Sequence, residues 1–350
     1  MIDKRFWNNK KILITGYNGF KGSWMTLLLS KLGAKVFGYA LNNEYEKKNN
    51  KILNLKKNCI DVCNGNILEK KKFYKFLKKS KPEIIIHMAS QSLISDSYLN
   101  PLKTYETNTT GLVNLLNFGI NHKDKKKLLF FILTSDKCYE NLDNKRKFEE
   151  NDNLNGDDPY SGSKACQEII CNSYRKSFNL NIATARAGNV IGGCDFNENR
   201  LMVDLTEGIF KNKKVFIRNI KSTRPWQHVI DLNLNYLEFI EKFYFNKELA
   251  GPWNFGPEKS YSVKKIIQIL NKKKKFKYSV NKISKREKSF LNISNKKIKN
   301  KLNIKNRISF IQSLNLTYNW YEKFYNNRKN IYNFSLKQLE DFLNETKYYR

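Results

Sequence analysis

Histidine, cysteine and acid are scarce in this sequence, and long apolar runs are missing. Only three histidines occur, His87, His122 and His228, far apart in the chain, so no histidine-built metal site is expected. The six cysteines (Cys59, Cys63, Cys138, Cys166, Cys171 and Cys194) are too dilute for a disulfide scaffold and show no paired C-x-x-C spacing. No apolar run approaches the roughly 20 residues of a membrane-spanning helix. The longest, residues 128–133, is of strand length. The first ten residues lack the apolar core of a signal peptide. These absences predict a cytoplasmic protein of a reducing compartment, with no metal and no membrane partner.

The acidic deficit is large: 32 acidic against 65 basic residues, a formal net charge of +33. Such a charge suggests nucleic acid. The lysines, however, are spread through the whole chain among many Asn and Ile residues. Their runs at 70–72, 125–127 and 272–275 are short and scattered, as on solvated helix faces and turns. No dedicated nucleic-acid partner is expected. The field still attracts an anionic substrate.

At 350 residues, 40% hydrophobic and 13% aromatic, the chain can bury a core. A prior of about 150 residues per domain gives roughly two domains. Residues 11–15 form an apolar run followed by a glycine-rich turn. Residues 21–32 carry helical apolar spacing and stop at Gly33. Strands are then predicted at 36–39, 83–87, 128–134 and 181–185, and helices at 68–79, 101–120 and 159–178. Strands that are apolar throughout and alternate with helices imply a parallel sheet covered on both faces. The predicted class is α/β, a Rossmann-type doubly wound parallel sheet. The alternation fades after about residue 190, where a smaller mixed α/β C-terminal domain is expected. Residues 326–350 read as a terminal helix or a loose tail.

Between the first strand and the first helix, Gly16, Gly19 and Gly22 fall as G-x-x-G-x-x-G. Gly16 permits the tight turn, Gly19 lets the backbone approach a pyrophosphate, and Gly22 lets helix pack on strand. The helix N-terminus then offers amides and a positive dipole end to phosphates. The acid expected near the end of the second strand is missing around Ala40, and no Arg stands there, so this segment does not settle NAD against NADP.

Tyr160 and Lys164 are four apart at the start of a predicted helix, which puts them on one face. A nearby ammonium is expected to lower the Tyr160 pKa and make it a base. One helix earlier, a strand ends at Ser135, Asp136 and Lys137. These offer a hydroxyl, a general acid and an amine base where parallel sheets place their chemistry.

These segments resemble the extended short-chain dehydrogenase/reductase family, the NAD-dependent epimerase/dehydratase family. Within it they are similar to the CDP-glucose group of 4,6-dehydratases. The matching stretches include Gly19-Phe20-Lys21-Gly22-Ser23-Trp24, Thr134-Ser135-Asp136-Lys137-Cys138-Tyr139, Asp158-Pro159-Tyr160-Ser161-Gly162-Ser163-Lys164 and Arg224-Pro225-Trp226-Gln227-His228. The resemblance runs from about residue 6 to about residue 325. Asp136-Lys137 is its discriminating feature, since dTDP- and GDP-sugar dehydratases usually carry Asp-Glu there and epimerases usually lack the pair.

The resemblance implies conversion of CDP-D-glucose to CDP-4-keto-6-deoxy-D-glucose. NAD oxidises carbon 4, water is eliminated across carbons 5 and 6, and hydride returns to carbon 6. Tyr160 would take the 4-hydroxyl proton, Lys164 support it and Ser135 hydrogen-bond the same oxygen. Lys137 would remove the carbon 5 proton, and Asp136 would protonate the leaving hydroxyl. Gly16, Gly19, Phe20, Gly22, Asn66, Ile67, Ala89, Tyr160 and Lys164 would hold NAD, and Gln91, Asn189, Arg218 and Arg224 the sugar nucleotide. Residues 1–188, with returning segments near 228–256, would bind NAD. Residues 189–350 would mainly bind substrate. Helices 101–120 and 159–178 would pair two copies into a homodimer or homotetramer. The product would enter deoxysugar biosynthesis for lipopolysaccharide or capsule.

The chain departs from the family pattern at Asn66, where an Asp usually reaches adenine, at Ser95-Asp96, where Arg is usual, and at Leu302-Asn303-Ile304. His228 reads as structural. Two other readings stand beside this one: a different nucleotide-sugar dehydratase or epimerase, and a non-catalytic homologue that holds polyanions.

Overall fold

The computed structural model describes residues 2–143, 145–280 and 288–346. Its centre is a seven-stranded sheet: β1 (Lys11–Thr15), β2 (Lys35–Ala40), β3 (Asp61–Asn64), β4 (Ile84–His87), β5 (Leu129–Leu133), β6 (Asn181–Ala187) and β7 (Gly251–Phe255). The strand order is β7-β6-β5-β4-β1-β2-β3, and every pairing is parallel. The order reverses between β1 and β4, the switch point at which such sheets open a crevice.

The inner strands β1, β4 and β5 are largely apolar because both faces are covered. Ile12, Ile14, Ile84, Ile86, Leu129 and Phe131 join one core, while Leu13, Ile85, Phe130 and Ile132 join the core on the opposite face. The first core is closed by helix α1 (Phe20–Lys31) and the returning helix α3 (Val229–Phe245), which packs on α1. The second is closed by helices Lys70–Ser80, Gly111–Ile120 and α2 (Pro159–Phe178).

The predicted helix at 101–120 is helical throughout, but a π-type turn over Glu106–Thr110 interrupts its α-geometry. This widened turn brings Asn108 inside. Residues 331–345 settle the open reading of the C-terminal stretch as a helix; residues 347–350 lie outside the described set. The C-terminal region has its own smaller core of Leu205, Ile209, Trp226, Ile266, Leu270, Phe310 and Leu314. Among the described residues no helix is long and apolar enough to cross a membrane.

Candidate active site

The candidate residues gather at the carboxyl ends of β1, β4, β5 and β6, where a parallel sheet of this order opens a crevice. Its first wall is the glycine turn. Gly16 has φ +70°, and a Cβ there would meet the Ala89 amide nitrogen at 2.8 Å; a Cβ on Gly22 would stand 2.1 Å from Gly16 O. Both positions therefore exclude any side chain. Gly19 is different: its Cβ would have only Gly16 O, at 3.4 Å, as a neighbour. Protein packing does not demand glycine there, so the space before it is a cradle that a Cβ would narrow. Gly19 also caps α1 without a side-chain hydrogen bond, leaving the first-turn amides open to an anion. These residues fit a dinucleotide pyrophosphate.

Thr15 ties the turn to β4. Its hydroxyl lies 2.8 Å from His87 Nδ1 and accepts from the Ala89 amide at 3.2 Å. Asn66 caps the following segment, its Oδ1 accepting from the Leu68 amide at 3.0 Å. The expected adenine acceptor is therefore already partly engaged. Ile67 packs under Gly111.

The floor carries the proton chemistry. Ser135, Asp136, Tyr160 and Lys164 are all buried, brought together by the end of β5 and the first turns of α2. Asp158 caps α2 by accepting from the Ser161 amide at 2.9 Å, and Pro159 occupies its first turn. Ser135 Oγ donates to Asp136 Oδ1 at 3.1 Å. Burial pushes the Asp136 carboxyl above its usual range against the opposing charge of Lys137 and hydrogen bonding by Ser135. A carboxyl held protonated suits a general acid.

The expected depression of Tyr160 is reversed here. Burial pushes its phenol up to about 12, and Ser135 and Arg200 pull only part of that back. Lys164 Nζ sits 5.9 Å from the Tyr160 ring centre, and burial and the Lys21 charge bring its own pKa down to about 7. A half-neutral amine at that distance is a weak electrostatic partner. Lys164 is instead held by Gln167 Oε1 at 2.9 Å and Leu133 O at 3.3 Å. Gln167 in turn donates to the Asn108 carbonyl at 2.7 Å, which explains the widened turn. Behind the floor, Glu168 pairs with Arg186 at 2.8 Å and accepts from Thr184 at 2.8 Å.

The second wall comes from residues 189–228. Asn189 accepts from the Gln227 amide at 3.1 Å. Arg224 is buried, not a surface charge. Its guanidinium donates to the Thr223, Ser289 and Lys288 carbonyls, and its charge acts on Asp136. Two of the expected substrate residues are engaged with neighbouring chain in the structure. The Gln91 side chain is spent within its own loop, donating to Leu93 O and Thr104 Oγ1 and accepting from the Leu93 amide, so it shapes the loop rather than presenting a free amide. Arg218 is exposed and donates to Asn199 O.

Sequence reasoning missed two cations. Lys21, in the first turn of α1, is half-buried and brought down to about 8 by burial and Arg200. Arg200 is half-buried, its Nε buried without a partner, and its charge reaches both Lys21 and Tyr160. Lys21 carried one signal, a charge inside the otherwise uncharged first turn Phe20-Lys21-Gly22-Ser23-Trp24. Arg200 carried none. Among the described residues no cluster of His, Cys, Asp and Glu is placed to hold a metal.

Comparison with known proteins agrees with this geometry. Residues 13–317 match the family model described as GDP-mannose 4,6 dehydratase. A CDP-glucose 4,6-dehydratase of Salmonella typhimurium is 39% identical over 267 residues, 73% of this chain and 74% of that one. A dTDP-D-glucose 4,6-dehydratase of Dictyostelium discoideum is 30% identical over 74% of this chain and 62% of its own length. Among solved structures, the dTDP-glucose 4,6-dehydratase of Bacillus anthracis in complex with NAD shares the fold, with TM-score 0.75 and 22% identity over 93% of this chain and 99% of that one. A parallel sheet that reverses at β1/β4, a glycine cradle and a floor of buried Ser135, Asp136, Tyr160 and Lys164 thus coincide with a family match over most of the length: the chain belongs to the GDP-mannose 4,6 dehydratase family of extended short-chain dehydrogenase/reductases, enzymes that dehydrate nucleotide sugars.

Proposed function

We propose that this protein is a CDP-glucose 4,6-dehydratase that forms CDP-4-keto-6-deoxy-D-glucose. The observation that carries the reading is the Asp136-Lys137 pair at the end of β5, a buried carboxyl with a raised pKa beside a lysine. The 39% identity to the Salmonella enzyme supports the choice of base.

NAD, when bound, supplies a reversible two-electron acceptor and a positively charged ring. The residues to hold it are Gly16, Gly19, Phe20 and Gly22 at the pyrophosphate, Asn66 and Ile67 at the adenosine end, and Ala89, Tyr160 and Lys164 at the nicotinamide end. Tyr160 accepts the proton of the 4-hydroxyl. Its phenol, raised to about 12 by burial, needs added positive charge to ionise. Lys137 removes the proton at carbon 5, acidified by the new ketone. Asp136 protonates the departing 6-hydroxyl. Asn189, Arg200 and Arg224 form the wall that faces the diphosphate, where guanidinium groups match paired anionic oxygens.

The division of labour follows. Residues 1–188 with the returning segment 228–256 bind the cofactor, and the rest of 189–350 mainly binds substrate. The apolar Leu99, Leu102 and Ile169 are exposed on adjoining helices. Such a face suits pairing of two copies, with the product destined for deoxysugars of a surface polysaccharide.

The test is a turnover panel. Purified protein with NAD meets CDP-, dTDP-, GDP- and UDP-glucose and GDP-mannose, and mass spectrometry follows loss of one water. Loss from CDP-glucose alone, reduced about 10²–10⁴-fold by Tyr160→Phe, is the expected result. Loss from another sugar nucleotide replaces the substrate, and isomerisation without water loss replaces the reaction.

A further inference from the structure

A 4,6-elimination leaves its protons unbalanced between two side chains. Tyr160 enters as phenolate, takes the 4-hydroxyl proton and ends as phenol. Asp136 enters as carboxylic acid, gives its proton to the departing 6-hydroxyl, which leaves as water, and ends as carboxylate. The proton that Lys137 takes from carbon 5 goes back to carbon 5, and the electron pair that leaves carbon 4 returns at carbon 6. Substrate has become product and water, yet one proton sits on the wrong side chain. It must pass from Tyr160 to Asp136 before the next cycle.

One hydroxyl stands between the two groups. Ser135 Oγ donates to Asp136 Oδ1 at 3.1 Å and accepts from the Lys137 amide at 3.2 Å, and the helix that carries Tyr160 packs on this segment, where the Ser135 hydroxyl acts on the phenol. A serine hydroxyl has one donor and two acceptor sites. Asp136 takes the donor and the Lys137 amide one acceptor, which leaves one acceptor site for the phenol. All three side chains are buried. Asp136 Oδ2 is buried without a hydrogen-bond partner.

We propose that Ser135 is the proton relay that resets the site: its own hydrogen passes to Asp136 Oδ1 while its oxygen takes the hydrogen of the Tyr160 phenol. Phenolate and carboxylic acid are restored and the serine is unchanged. The proposal rests on the dehydratase reading above. In either tautomer the pair carries one negative charge. Lys137, Arg224 and Lys21 face it from the Asp136 side, and Arg200 from the Tyr160 side, where Asp158 opposes it.

The experiment is carrier rescue of Ser135→Ala with CDP-glucose and NAD. The expected result is a kcat at least about 100-fold lower with KM within about twofold of the wild type. That kcat rises with the concentration of a small proton carrier such as imidazole or formate, to which the wild type does not respond. Ser135→Thr keeps the hydroxyl and needs no carrier. A Ser135→Ala loss that no carrier relieves overturns the relay, as does a Ser135→Thr enzyme that behaves like Ser135→Ala. A wild type that removes water from no nucleotide sugar overturns the dehydratase reading and the relay with it.

Discussion

The two walls of the cleft are held by different kinds of constraint. On the first wall, from β1 through the glycine turn into α1, the constraint is steric and local: Gly16 and Gly22 face each other within seven positions. On the second, each residue depends on distant chain. Arg224 hangs on carbonyls of residues 288 and 289, Trp226 donates to Tyr261 O, and Arg200 points its Nη2 at Ser92. A local wall leaves a spacing in the sequence and tolerates no added atom. A wall made of long contacts leaves no spacing and is open to graded change.

The largest break comes from the support behind the floor on which both walls stand. Glu168, on α2, holds Arg186 of β6 in a fully buried pair and also accepts from Thr134 at the end of β5. Glu168→Gln leaves the guanidinium buried beside a neutral amide and costs about 3–5 kcal/mol, read as a fall in denaturant midpoint. Next, the first wall separates packing from binding. Gly22→Ala costs about 1–3 kcal/mol or more through its collision with Gly16 O. Gly19→Ala costs under about 1 kcal/mol but weakens NAD binding, read by calorimetric titration. Equal destabilisation by both would erase the cradle at Gly19.

On the second wall, Arg200→Ala is expected to leave the melting temperature nearly unchanged and to raise KM for the sugar nucleotide about tenfold, the worth of one charged hydrogen bond. An unchanged KM would move the diphosphate away from this wall. The smallest effect is at His228, whose Nδ1 accepts from the Ile230 amide and whose pKa burial brings down to about 3. As pH falls below about 6.5 the unfolded chain takes this proton and the folded one does not, so stability is lost progressively towards pH 3. At pH 5.5 that is about 1.4 kcal/mol. His228→Asn keeps an acceptor for the amide and does not titrate, so the difference in stability between pH 7 and pH 5.5 should shrink by that amount.

The same contrast explains what the sequence made legible. Helix α2 begins and ends where its pattern predicts, at Pro159 and Phe178, because a proline opens it and an apolar stripe fills it. The inner strands are found within a residue or two because both faces bury apolar side chains. Strand β3 went unread: Asp61–Asn64 is a half-buried edge whose polar ends carry no apolar pattern. Helix α3 also went unread, since it is buried on nearly every side and its polar residues Asp231, Asn233, Asn235 and Glu238 are buried too, so they mark no solvent face. In the site, Ser135, Asp136, Tyr160 and Lys164 were legible because two local motifs carry them. The direction of the Tyr160 pKa was not, because burial outweighs a lysine that is itself half neutral. The bonds of Gln91 to Leu93 and Thr104 left no sign in the sequence, because they depend on how the folded loop brings these residues together.

The most direct test follows one atom. CDP-glucose carrying deuterium at carbon 4 is converted with the purified enzyme and NAD, and the product is read by mass spectrometry and NMR. The account predicts loss of one water and recovery of the deuterium at carbon 6. Deuterium retained at carbon 4, or water loss with no deuterium at carbon 6, would contradict it.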